Sequence, residues 1–198
     1  MMYRPVRIEA PTSLPVTLAQ VKAALDIPYV EKDELIKGLM AAAVSHLDGW
    51  TGILGRALCE QTWRQDFDYF CWELRLPIFP VISVASVNYT DVNGAEQTVA
   101  AESYSVLTDG LGAFVRFKNG FSFPTTKAFE SAAVRVSYVC GHEDDDEENP
   151  LPAAIKQAIM LLVRHWFDNP TAVIVGTTAE KMPMAVDALL APYRRVRF

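Results

Sequence analysis

The 198-residue sequence predicts an α+β protein: a helical bundle made by N-terminal and C-terminal helices, with an antiparallel β domain of about five to seven strands inserted between them. Three observations predict it. Apolar residues recur at helical spacing before residue 58 and again after residue 150, the period shifts to alternation between about Glu60 and Cys140, and turn dipeptides punctuate that middle zone. The boundaries that follow are 1–58 for the N-terminal helical part and 59–142 for the β insertion. Residues 143–198 then hold an acidic linker, the C-terminal helices and a basic tail that complete the bundle.

The first helix opens at Thr17-Leu-Ala-Gln20, a capping box in which each side chain satisfies an orphan amide of the other residue. Leu18, Val21 and Leu25 share one face, and Pro28 ends the helix. In the second helix Leu35, Ile36, Leu39, Met40, Ala43, Val44 and Leu47 make a stripe that must face a partner. Asp33 is its expected cap, and Gly52 in WTGILG its expected left-handed residue just past the end.

Within the middle zone, WRQDFDYF and WELRLP alternate large apolar with polar side chains. VNYTDVNGAEQTV sets Asn93-Gly94 between two extended runs, which is a hairpin signal. SYSVLTD, AFVRFKN and AVRVSYVCG read as further strands, with Asp109-Gly110 and Asn119-Gly120 as turns. The run EDDDEENP, Glu143 to Pro150, returns the chain to helix, and its like charges repel, so it reads as a solvated linker. Beyond it Ile155, Ile159, Leu162, Val163 and Trp166 stripe a helix that starts near Pro152 and stops before Asn169-Pro170. TAVIVGTTAEKMP then leads to a last short helix around Ala185 to Leu190.

Composition bounds the function. With 51% hydrophobic and 21% charged residues the chain can build a core, which excludes disorder as its general state. A net charge of −6 opposes general nucleic-acid binding, which requires a basic stripe to replace counterions. No apolar run reaches the roughly 18 residues that span a bilayer, so no membrane association is expected. The start MMYRPVRIEAPTSLP lacks the apolar segment of a signal peptide, which points to synthesis in a reducing cytosol.

Chemistry-bearing motifs are absent from the sequence. There is no GxSxG, P-loop or HExxH, and Gly110-Leu111-Gly112 lacks the third glycine of a dinucleotide fingerprint, so the chain is not expected to be an enzyme. His46, His142 and His165 have no ligand-spaced partner, and Cys59, Cys71 and Cys140 show no CxxC spacing. Plain thiols, no metal and no cofactor are the expectation. The carboxylates Asp144 to Glu148 lack the DxDxDG register that folds around calcium.

Taken in order, VTLAQVKAALDI, DELIKGLMAAAVSHLDGWTG, RALCEQTWRQDFDYF, LRLPIFPVISVASVNYTDVNG, IKQAIMLLVRHWFDNP and LLAPYRRVRF cover nearly the whole chain. Together they resemble the head-tail connector, or adaptor, proteins of tailed bacteriophages and gene transfer agents, in the long variant that carries a β insertion. Trp50 in DGWTG departs from that pattern, and the acidic run is longer than usual. The resemblance implies a structural protein of the virion's head-tail junction, made in the bacterial host cytoplasm. It implies a ring of about twelve copies under the portal protein, closing by rotation through two different patches on each copy. That ring extends the channel through which DNA passes without sequence-specific binding, and it receives the next joining or tail protein.

Three arginines lie in the last five residues. Arginine's planar fork pairs bidentately with carboxylates, and a short tail can order on another chain. Tyr193, Arg194, Arg195, Arg197 and Phe198 are therefore the expected contacts with the portal or a neighbouring subunit, the alternative for this segment being a frayed, solubilising terminus. For the whole chain, the competing reading is a monomeric β-domain binding module or a tail or baseplate accessory, which requires an exposed aromatic patch on the β unit.

Overall fold

The structure is a computed structural model that describes residues 3–128, 130–143, 150–169 and 183–195. Its class is α+β, with four α-helices and antiparallel sheets of five and three strands among the described residues. The chain divides into two compact units, Met1–Thr12 with Cys59–His142, and Ser13–Leu58 with Glu143–Phe198.

The first unit is built of strands. In the five-stranded sheet the order is β1 (Val6–Glu9), β2 (Gln61–Phe67), β8 (Val134–Cys140), β4 (Val81–Thr90) and β5 (Glu96–Thr98). The three-stranded sheet runs β3 (Glu73–Arg75), β7 (Gly112–Phe117), β6 (Tyr104–Asp109). Strand alternation explains the core: Trp63, Gln65 and Phe67 pair with Tyr138, Val136 and Val134, and all six are buried. The intervening Thr62, Arg64, Arg135 and Ser137 stay half-exposed. Leu74, Leu76, Ile78, Val87 and Val115 are also buried, and the Ile78 N–H donates to the Tyr138 hydroxyl at 3.3 Å.

Gly94, at φ +84°, makes the turn between β4 and β5. Asp91 holds that turn, its carboxylate accepting the Asn93 and Ala95 amides at 2.8 and 3.0 Å. At the β6–β7 turn Asp109 does the same for the Leu111 amide at 2.8 Å, and takes a two-pronged contact from Arg75 at 3.0 and 2.8 Å. The Arg75 contact first, then that amide, hold the Asp109 carboxyl down to about 2, below its ordinary 3.8. A depressed folded-state value contributes stability above pH 3.8 and loses it as pH falls through about 2. An NMR titration of Asp109 is expected to show a midpoint near 2, moving up toward the ordinary range in Arg75→Gln.

The second unit is helical. Its helices are α1 (Leu18–Leu25), α2 (Asp33–Leu47), α3 (Ala153–Asp168) and α4 (Met184–Leu190). Thr17 and Gln20 make the reciprocal cap: the Gln20 N–H donates to Thr17 Oγ1 at 3.2 Å, and the Thr17 N–H donates to Gln20 Oε1 at 2.8 Å. One apolar cluster takes residues from every helix, including Val21, Ile36, Met40, Ile155, Ile159, Val186 and Leu190. Trp166 packs half-buried against it, with His46 edge-on at 6.3 Å between ring centres.

Four local expectations are corrected. The segment before residue 13 is expected in the N-terminal helical part, but its described residues lie in the strand unit, because Val6 and Arg7 pair with Arg64 and Trp63 on β2. Leu35 lies on the exposed side of α2, since the buried stripe passes through Ile36, Met40, Ala43, Val44 and Leu47. The N-cap of α2 is Lys32 rather than Asp33, which sits in the first turn and pairs with Lys22 at 2.5 Å. The positive φ angles after α2 fall on Gly49 and Gly55 rather than on Gly52. At Gly52 the constraint is space: a Cβ there would lie 2.3 Å from the carbonyl oxygens of Leu47 and Asp48.

Candidate functional site

The described part of the C-terminal segment is seated on its own helical unit. Val186 and Leu190 anchor α4 in the apolar cluster, and Ala191–Tyr193 continue it as a 3₁₀ turn. Tyr193 is half-buried against the cluster, with the Arg56 guanidinium 5.8 Å from its ring centre, inside cation–π range. Burial pushes the proton affinity of Arg56 down, and the neighbouring Tyr193 opposes that shift. Arg194 pairs with Asp187 at 2.5 Å, one helical face back along α4. The Arg195 N–H donates to the Leu54 carbonyl at 3.1 Å. Arg197 and Phe198 lie outside the described residues, as does the acidic run Asp144 to Glu148.

The seat is the compact loop after α2. Gly49 donates its amide to Arg56 O at 2.7 Å, Ile53 to His46 O at 3.0 Å, and Leu54 to Leu47 O at 3.3 Å, so the loop folds back onto the end of the helix. Buried Asp48 locks it by accepting the Leu58 amide at 2.9 Å. The structure therefore brings Tyr193, Arg194 and Arg195 together with Leu54, Arg56 and Asp187. Sequence reasoning missed these last three. Leu54 contributes only a backbone carbonyl, which no side-chain pattern reveals, whereas Asp187 lies seven residues before Arg194, a helical spacing that could have been noticed.

The described tail is thus held on its own helical unit by an arginine–tyrosine contact, an ion pair and a backbone hydrogen bond. The exposed Arg194–Asp187 pair is of the kind that contributes about 0–1 kcal/mol. Asp48→Ala is expected to cost about 1–3 kcal/mol, because it strands the buried Leu58 amide. Thermal unfolding checks that cost, and faster amide exchange at Arg195 would show that the seat has loosened.

Elsewhere, Cys59 and Cys140 are buried and Cys71 half-buried, none in a disulfide. Among the described residues no cluster of histidine, cysteine and carboxylate side chains is placed to hold a metal ion, and no helix is long and apolar enough to cross a membrane.

Comparison with known proteins gives the following. No curated protein sequence matches the chain. The fold is similar to a chain from the virion of a native gene transfer agent particle, at TM-score 0.73 and 21% identity, covering 99% of this chain and 97% of that one. It is also similar to a chain from the neck of an empty particle computed with C6 symmetry, at TM-score 0.74 and 21% identity, and to one from the neck of a native particle computed with C12 symmetry, at 0.71 and 23%. Both of these cover 99% of this chain and 97% of theirs. At such identities the likeness is one of fold. The sequence itself matches the model of head completion proteins from residue 16 to residue 196, through both the helical and the strand-built units, and the chain belongs to the head completion protein family.

Proposed function

We infer that this chain is the structural head-tail connector, or adaptor, of a tailed phage or gene transfer agent particle. It forms a homo-oligomeric ring of about twelve copies under the portal, extends the DNA channel and receives the next joining or tail protein. The head completion match over residues 16–196 carries the reading, and the shared fold with neck chains of gene transfer agent particles supports it. In this reading the helices of 13–58 and 143–198 act as one bundle and 59–142 as its β insertion. The role is structural, without catalysis or cofactor, and the protein resides at the head-tail junction after synthesis in the host cytoplasm.

Tyr193, Arg194, Arg195, Arg197 and Phe198 are proposed as the contact with the portal or with a neighbouring subunit. The test is co-sedimentation with portal rings from the same gene cluster, followed by electron microscopy. Saturable binding near one copy per portal subunit, visible as an added ring, is expected. Deleting Arg194 to Phe198 should abolish it while leaving the circular dichroism spectrum unchanged, and undiminished binding by the truncated chain would remove the tail from the contact.

One observation favours the second reading, a monomeric binding module or tail accessory. Tyr69 and Trp72 are 59% and 52% exposed, and Trp72 packs on Phe123 at 4.8 Å beside Phe70, Phe117 and Phe121. A chain that stays monomeric with portal rings at every salt and protein concentration would favour that patch as the working surface.

A further inference from the structure

A sheet edge exposes unpaired N–H and C=O groups and is a template for a strand from another chain unless it is short, charged, bulged or interrupted by proline. Four of the described strands lie at sheet edges. β3 and β5 are three residues long, with Glu73 paired to Arg116, Arg75 to Asp109 and Glu96 to Arg135. β1 has four residues and a register break between Arg7 and Glu9, too short to be a template itself but long enough to add to a longer edge.

β6 uses these devices least, its one charge being Asp109 at the very end of the strand. It runs for six residues without lysine, arginine or proline, and its register with β7 is unbroken from Tyr104↔Phe117 to Asp109↔Gly112. Val106 and Leu107 are 41% and 40% exposed, so both faces of the edge are partly apolar.

We propose that β6 is a subunit contact, its free edge receiving β1 of the next copy as an added strand. This rests on the ring reading above. A ring closes through two different patches per copy, so β6 must meet something other than β6, which would make a two-fold pair and stop. Charge selects β1: residues 101–109 carry no cation but two carboxylates, Glu102 and the Arg75-paired Asp109, whereas the β1 segment carries Arg4 and Arg7 against Glu9. The apolar surfaces match as well, since Val6 and Ile8 are 45% and 50% exposed. Main-chain hydrogen bonds along the added strand supply the affinity, and the alternating side chains supply the register.

The test places a photo-reactive benzoylphenylalanine at position 107 in a mixture of light and heavy isotope-labelled chains assembled on portal rings. Heavy-to-light crosslinks from residue 107 to the peptide of residues 3–12 are expected. In the same assay Leu107→Lys should reduce ring formation at least tenfold with an unchanged circular dichroism spectrum. Thr108→Lys, opposite the small Ala113, repeats the test in case the first variant fails to fold. Crosslinks to the portal, to β6 of another copy or only within one chain, or full ring formation by both lysine variants, would overturn the β6–β1 contact and leave the ring standing. Absence of any ring from the unaltered chain would instead bring down the ring reading, and this proposal with it.

Discussion

Gly141→Ala is expected to destabilise the strand-built unit by more than about 4 kcal/mol, a loss that only backbone strain, core damage or stranded polar groups produce. Two effects add. The residue sits at φ +118°, where an L side chain is itself strained by about 1–3 kcal/mol. A Cβ there would also lie 2.1 Å from the Cys59 carbonyl oxygen and 2.9 Å from the Glu60 nitrogen, so backbone has to move. That movement breaks the place where the chain enters and leaves the unit, held by the Glu60 N–H donating to His142 O at 3.1 Å and the Gly141 N–H donating to Pro80 O at 2.8 Å. Domains are stable by about 5–15 kcal/mol, so the variant should populate an unfolded strand unit under mild denaturant. Gly38→Ala is the opposite control: nothing lies within 4 Å of its Cβ in the middle of α2, and it should stabilise by about 0.5–1 kcal/mol. Urea unfolding, with hydrogen exchange followed over residues 59–142, separates the two. A Gly141→Ala chain within about 0.5 kcal/mol of the original would show that the approach at Cys59 is not tight.

The second large effect is expected at Ile159, which is completely buried on α3. Ile159→Ala should cost about 2–5 kcal/mol through lost burial and the cavity left behind, and Ile159→Val about 0.5–1.5 kcal/mol. The consequence reaches the C-terminal segment. Ile159 belongs to the same apolar cluster as Val186 and Leu190, whose burial holds α4 and so positions Tyr193, Arg194 and Arg195. Amide exchange over 184–195 should therefore rise in step with the lost stability, more for alanine than for valine. Unchanged exchange there, despite a lower unfolding midpoint, would detach the tail's seat from the helical core.

In both units local logic explains which features were legible. The Thr17–Gln20 cap, the α3 stripe and the Asn93-Gly94 turn each depend on residues within a few positions of one another, so periodicity and turn chemistry were enough to place them. Ordered phrases across both zones were likewise enough for the family, because that signal is the sum of many weak local agreements along the chain.

β1 could not be read in this way. Four residues of Val-Arg-Ile-Glu carry too little pattern, and their place is settled by pairing with β2 more than fifty residues on. Gly52 is a glycine because of folded-back carbonyls, and Gly141 because the remote Cys59 carbonyl adds to its φ of +118°. The seat of the tail has the same origin: Arg195 meets a backbone oxygen of Leu54, and Tyr193 meets Arg56, across some 140 residues of chain. Hydrophobic period and turn chemistry act over a few residues and are written in them, whereas register, close backbone approach and an edge left unpaired exist only once remote segments have packed.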